Sequence, residues 1–188
     1  YLDYEDSKDY QLYRLEMLRA SYNQEDEARI FYKRADASLP AIAQQLRRQL
    51  EAEHIKGLII DSAALACGAD PETADAANSY FRALRSLNLD WTLTIAHQPK
   101  DKLRSEAPFG SVFWKNCPRS VWQLKRASYD ETSMHIGLIH RKVNHGTLRS
   151  PKGYEIIFNE SSIYIQGELL KNIPDFAGDR NMNQKILD

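Results

Sequence analysis

Three apolar runs in this chain end in residues able to do acid, base or charge-stabilising chemistry. Tyr1-Leu2-Asp3-Tyr4 is followed by Glu5-Asp6, Leu58-Ile59-Ile60 by Asp61-Ser62, and Trp91 to Ala96 by His97-Gln98. Ligands of open α/β sheets bind beyond the carboxyl ends of the strands, so polar residues there are the first candidates for a site. An acid closing an aliphatic run, as Asp61 does, is the pattern in which a carboxylate orients a magnesium-bound water beside a nucleotide. It is also the pattern of a strand-terminal acid that caps the next turn. Glu5 has the chemistry of a general base that polarises an attacking water, and His97 that of a hydrogen-bonding γ-phosphate sensor. Taken singly, they read as a solvated Glu and a strand-end His bonded to a carbonyl; at matching strand ends of one sheet they become a constellation.

Such strand ends need a scaffold, and the hydrophobic spacing predicts one. Tyr10, Leu12, Tyr13, Leu15, Leu18 and Tyr22 follow helical spacing and predict a helix over 8–21. Ala28 to Lys33 reads as a strand, and Ser38 as the cap of a helix with Pro40 in its first turn, running to about Glu53. Gly57 to Asp61 predicts a parallel strand buried on both faces. Asp70-Pro71-Glu72 predicts the N-cap and first turn of a helix reaching about Leu87, and Trp91 to His97 a further buried strand. A loop rich in Lys, Arg and Pro follows from Gln98 to Phe109, long enough to be either functional or disordered. A short helical segment is expected near Ser111 to Cys117. Strands then follow at 121–125, 136–143, 154–159 and 163–166, the last two joined by Glu160-Ser161-Ser162, a hairpin signature. The predicted class is α/β: a mostly parallel central sheet flanked by helices, finished by antiparallel strands and a C-terminal hairpin. Residues 1–170 read as one core, and 171–188, with Pro174, as a tail or the start of a linker.

The chain has 188 residues, 43% hydrophobic and 27% charged, with a formal net charge of -1. Global charge therefore directs it toward neither nucleic acid nor a membrane surface. Its distribution is uneven, because residues 97–152 hold eleven Lys and Arg against four acids. No apolar run approaches the roughly 18 residues that span a bilayer, and no signal peptide opens the chain, so a cytoplasmic protein is the expectation. Cys67 and Cys117 form no CxxC pair, which leaves a disulfide scaffold and a structural zinc site without support. His135, His140 and His145 lack helical metal-ligand spacing and read as ordinary strand histidines. The aromatics Tyr80, Phe81, Trp91, Phe113, Trp114 and Trp122 read as core or subunit interface. The first glycine is Gly57, and none of the eight is followed by Lys and Ser or Thr, so the chain has no GxxxxGK[ST] phosphate loop. The opening strand, with no cap before it, predicts a polypeptide that extends upstream.

In order and spacing, several motifs resemble those of a known family. They are Tyr1 to Asp6, Gly57 to Ser62 with Ala63-Ala64, Thr94 to His97 with Lys100, Phe109-Gly110-Ser111 followed by Pro118 to Trp122, and Ile139 to Gly146. Together they resemble the RecA-type ATPases, specifically the RepA-like hexameric replicative helicases of plasmids, phages and bacteria, without their phosphate loop. The resemblance implies ATP and Mg2+ as cofactors, Glu5 as the catalytic carboxylate followed by Asp6, and His97 as the sensor. It implies that Asp61 is the Walker B acid and metal ligand, with Ser62 beside it. Arg126, at a strand end, would be an arginine finger reaching the neighbouring subunit, and Lys142 a second cation acting in trans. Arg119 matches a family arginine without an assigned role. The loop carrying Lys100, Lys102, Arg104 and Phe109 would bind single-stranded DNA in the channel of a ring; its other reading is a solvated surface loop. Rival expectations are a non-hydrolysing DNA-binding or assembly module of the same fold, and a clock or signalling ATPase.

Overall fold

The computed structural model describes residues 1–22, 29–99, 107–169 and 176. Within the span read from sequence as one core, these fall into two compact units, Tyr1–Gln11 with Ala28–Pro118, and Leu12–Glu27 with Arg119–Asp188.

The first unit is a parallel sheet with helices packed on one face. Its strands are β1 (Leu2–Asp3), β2 (Lys33–Arg34), β3 (Gly57–Asp61) and β4 (Trp91–Ile95), in the order β2-β1-β3-β4. Every pairing is parallel, with Leu2 opposite Lys33 and Ile60, and Asp61 opposite both Asp3 and Ile95. Helix α1 (Lys8–Arg19) starts in this unit, and α2 (Leu39–Ala52), α3 (Ala63–Ala66), α4 (Ala74–Ser86) and α5 (Phe113–Asn116) belong to it. The apolar stripe of α2 (Leu39, Ala43, Leu46, Leu50) and that of α4 (Ala76, Ala77, Tyr80, Phe81) share one core with Leu2, Leu58 and Ile60. Burial of these side chains drives the packing, at about 25 cal/mol per Å² of apolar surface. Trp114 of α5 completes an aromatic cluster with Tyr80 and Phe81, the ring centroids 5.1 to 5.3 Å apart.

Several local expectations change. Residues 29–32 are not strand, and β2 is two residues long. Ser38 is the N-cap residue of α2 by backbone, but its side chain makes no capping bond. The cap of α4 is Thr73, whose hydroxyl accepts from the Ala76 amide at 3.3 Å. Asp70 instead closes the preceding turn, its carboxylate accepting from the Glu72 amide at 2.9 Å. The largest departure is β4, which is an outer strand with Trp91 and Leu93 more than half exposed, rather than a buried one. Thr92 and Thr94 alternate with those residues, and Thr94 meets the Tyr80 hydroxyl on the covered face at 2.8 Å. Gly57 allows Trp91 to lie against β3, since a Cβ there would come within 2.0 Å of the indole.

The second unit carries the antiparallel strands, which do not finish the parallel sheet but form one of their own. These are β5 (Ser120–Tyr129), β6 (Ser133–Val143), β7 (Lys152–Phe158) and β8 (Ile163–Glu168), ordered β5-β6-β7-β8. The turn at 159–162 closes through the Asn159 amide and the Ser162 carbonyl, 2.9 Å apart, as the hairpin signature predicts. His140 is buried and stacks on Trp122, while His145 lies beyond the end of β6 rather than in a strand. At the outer strand, the Tyr22 hydroxyl donates to the Ile165 carbonyl at 2.9 Å and accepts from the Ile165 amide at 3.0 Å. Its ring stacks on Tyr164.

Candidate functional site

The carboxyl ends of β1, β3 and β4 lie side by side, because β3 pairs with both neighbours in parallel. Three of the residues singled out from sequence meet there. Ser62 donates its hydroxyl to Glu5 Oε1 in a short hydrogen bond, and His97 Nε2 lies 3.0 Å from the same oxygen. An ionised carboxylate can only accept, so both neighbours donate to it. Ser62 is fully buried, whereas the Glu5 and His97 side chains reach solvent. The Ser62 hydroxyl, then the His97 ring, hold the Glu5 carboxyl below the ordinary carboxylate range, against partial burial and the nearby Asp3 charge. Glu5 is therefore ionised at neutral pH and fixed in orientation.

Asp61, the last residue of β3, is half-buried beside this group. Its Oδ2 accepts from the Tyr1 hydroxyl at 2.6 Å, its carbonyl accepts from the Tyr4 amide at 2.7 Å, and its peptide bond to Ser62 is cis. Asp6 follows in the turn after β1, its amide bonded to Asp3 and its carbonyl accepting from Arg34 at 3.1 Å. Among the described residues, no group of three or more His, Cys, Asp and Glu could hold a metal ion unaided.

The base of the long loop is tied to the same strand end. The Phe109 amide donates to the His97 carbonyl at 2.7 Å, and the Pro71 carbonyl accepts from the Ser111 amide and the Trp114 indole, both at 2.9 Å. Gly110 makes this return possible with φ of +106°, where a Cβ would also meet the Pro71 carbonyl oxygen at 2.5 Å. Phe109 is exposed. Lys100, Lys102 and Arg104 lie outside the described residues.

The three remaining candidates belong to the second unit. Arg126 is not at a strand end, because β5 runs on to Tyr129; it is opposite Ile136, the last regular pair before a β-bulge. Bulges of this kind re-aim side chains. Lys142 is the penultimate residue of β6, opposite Val121. Arg119 precedes β5, and its carbonyl accepts from the Asn144 amide at 2.9 Å.

Two residues absent from the sequence-based set complete the geometry: Tyr1, which bonds Asp61, and Asp3, which bonds the turn carrying Glu5. Asp3 had a readable signal. An Asp two residues before a functional side chain can accept that residue's amide in an Asx turn.

No protein-family profile matches the chain, and no curated protein matches it. Among solved structures, it is similar to a KaiC-like protein from the hyperthermophilic archaeon Pyrococcus horikoshii OT3, with a TM-score of 0.52. The match has 15% identity and covers 88% of this chain and 74% of that one. This is a likeness of fold, and the fold is RecA-like. No helix among the described residues is long and apolar enough to cross a membrane.

Proposed function

We propose that this chain is the hydrolytic part of a DNA-dependent ATPase of RecA type, a RepA-like replicative helicase that works as a ring of six subunits. The observation that supports this most is the hydrogen-bonded set of Glu5, Ser62 and His97 beside Asp61, at the ends of three adjacent parallel strands. Glu5 accepts a proton from the attacking water, and Ser62 and His97 keep its carboxylate aimed. A single carboxylate is the donor set that Mg2+ uses when substrate phosphates and waters complete its shell, and Asp61 fits that part. Bound there, ATP with Mg2+ would supply a leaving group whose charge the cation neutralises.

The phosphates themselves need backbone amides and a lysine that this sequence lacks. Among the described residues nothing pairs with the outer edge of β4, and Trp91, Leu93 and Ile95 leave an apolar face beside it. A further parallel strand with its helix, carrying a GxxxxGK[ST] loop, fits that edge and would bring the loop beside His97. Arg126 and Lys142 are assigned to the neighbouring subunit's nucleotide, and the loop with Lys100, Lys102, Arg104 and Phe109 to single-stranded DNA. Its binding to DNA would be salt-sensitive and tolerant of sequence.

The test is ATP turnover by the protein carrying an upstream phosphate-loop segment, compared with the chain alone. The longer protein should hydrolyse ATP and the chain alone should not. Arg126→Ala should leave ATP binding nearly unchanged and lower turnover by about 10³-fold or more, the usual worth of a finger in trans. Mixing Arg126→Ala with Glu5→Gln under subunit exchange should restore part of the activity, since some interfaces then carry Glu5 and Arg126 from different subunits. If mixing restores nothing, or Arg126→Ala is fully active, the ring-motor reading fails. The missing phosphate loop favours a second reading, a non-hydrolysing DNA-binding or assembly module. That reading gains if DNA binding survives in the absence of any turnover.

A further inference from the structure

We infer that Asp3 is the positioning residue for Glu5: its buried carboxylate holds the turn after β1 so that the Glu5 side chain meets Ser62 and His97. Asp3 is fully inaccessible to solvent. Its Oδ1 accepts from the Glu5 amide at 2.9 Å and the Asp6 amide at 3.0 Å, and its Oδ2 accepts from the Tyr32 hydroxyl at 3.3 Å. The Gln11 side chain is a further donor. Among the described residues no Lys or Arg forms an ion pair with it. A carboxylate removed from water costs several kcal/mol unless donors surround it, and here the donors are amides, a phenol and a carboxamide.

Strand β1 ends at Asp3, and Glu5 lies beyond it in a turn rather than in the ladder. The backbone there is held on one side by the Tyr4 amide on the Asp61 carbonyl, at 2.7 Å. The Asp3 carboxylate holds it on the other, through two consecutive amides. Removing that hold frees the peptide that carries Glu5 to rotate, and a misplacement of about 1 Å at a reacting group can cost about 10²-fold in rate. Asp3 does not bond the Glu5 carboxylate itself; its charge works against Glu5 ionisation, and its hold on the two amides acts on orientation.

The positioning stands on geometry alone, whereas its effect on turnover rests on the proposed function, and two measurements separate them. The first is the 15N shift of His97 Nε2 in the 188-residue chain, which distinguishes a hydrogen-bonded imidazole from a free one. In Asp3→Ala the signal should move to its position in Glu5→Ala, where the partner is gone. In Asp3→Asn, which keeps an acceptor oxygen for both amides, it should stay with the unmutated chain. An unmoved signal in folded Asp3→Ala, or no recovery in Asp3→Asn, overturns the inference. Should Asp3→Ala not fold, amide exchange in the unmutated chain decides. The Glu5 and Asp6 amides should exchange at least about tenfold more slowly than in an unstructured peptide, and equal rates overturn the inference.

The second measurement is turnover by the protein with a phosphate loop. Asp3→Ala should lower kcat about 100-fold with KM little changed, and Asp3→Asn should recover most of it. If His97 responds as expected while kcat does not, Asp3 positions Glu5 but Glu5 is not the base, and the proposed function falls instead.

Discussion

The two faces of the parallel sheet are made from alternate residues of the same strands and carry different loads. Leu2, Leu58 and Ile60 face α2 and α4 and are at most 4% exposed. Asp3, Asp61, Trp91, Leu93 and Ile95 take the opposite face, where the polar residues are held by hydrogen bonds and the apolar ones reach solvent. Strand geometry enforces this division, since successive side chains point to opposite sides. Apolar packing on one face is thereby separated from the hydrogen-bonded polar side chains on the other, and a substitution on either should leave the other largely intact.

The largest effect should come from the covered face. Ile60→Ala should cost about 2 to 5 kcal/mol of stability, the range for truncating a fully buried aliphatic side chain. Leu93→Ala, more than half exposed, should cost under about 1 kcal/mol. Urea unfolding midpoints of the two variants check the contrast. Equal losses would mean that the open face is packed in solution.

A smaller effect should come from pH. The Asp3 carboxyl is pushed up by burial, but the amides of Asp6 and Glu5, with Gln11 and Tyr32, outweigh this and hold it below the ordinary range. Glu5 is lowered as well. Groups whose pKa is depressed on folding bind more protons when unfolded, so their contribution is full above the unfolded values, about 4, and is lost as pH falls through the folded ones. Unfolding free energy measured across the acid range should therefore fall with pH, and less steeply in Asp3→Asn. An unchanged slope in that variant would show that Asp3 is not held as an anion.

The smallest effect concerns Tyr4, which packs against the core while its hydroxyl, buried, finds no partner among the described residues. Burial pushes its pKa up to about 12. Tyr4→Phe removes a polar group that gains nothing from being buried, and should raise stability by up to about 1 kcal/mol. A clear loss in the thermal midpoint would reveal a bond to that hydroxyl in solution.

The elements that could be read from sequence are those whose signals are local. The helical spacing before Tyr22, the Pro40 start, the Gly57 to Asp61 run and the Glu160-Ser161-Ser162 hairpin all lead to elements close to those observed. Strand-end position groups Glu5, Asp61 and His97 in the sequence, because parallel strands align their ends, whereas the side chain that bonds Glu5 from the end of β3 is that of Ser62, not Asp61. What sequence hides depends on partners distant along the chain. The run Trp91 to Ile95 reads alike whether one face or both are covered, and only its place at the sheet edge decides. The continuation of β5 past Arg126 depends on pairing with β6, and the role of Asp3 on a turn and on Tyr32, 29 residues away.

Tyr22, seated against β8, has a consequence for how copies of this chain meet in concentrated solution. Among the described residues no strand pairs with the outer side of β8; such a side offers alternate residues as a template for another strand, and Ile165 lies between Ile163 and Gly167 in that outward series. By taking both the amide and the carbonyl of the middle residue, Tyr22 breaks the series where an incoming backbone would need continuity. One aromatic hydroxyl thus occupies, at the middle of that edge, both polar groups that an added strand would have to pair.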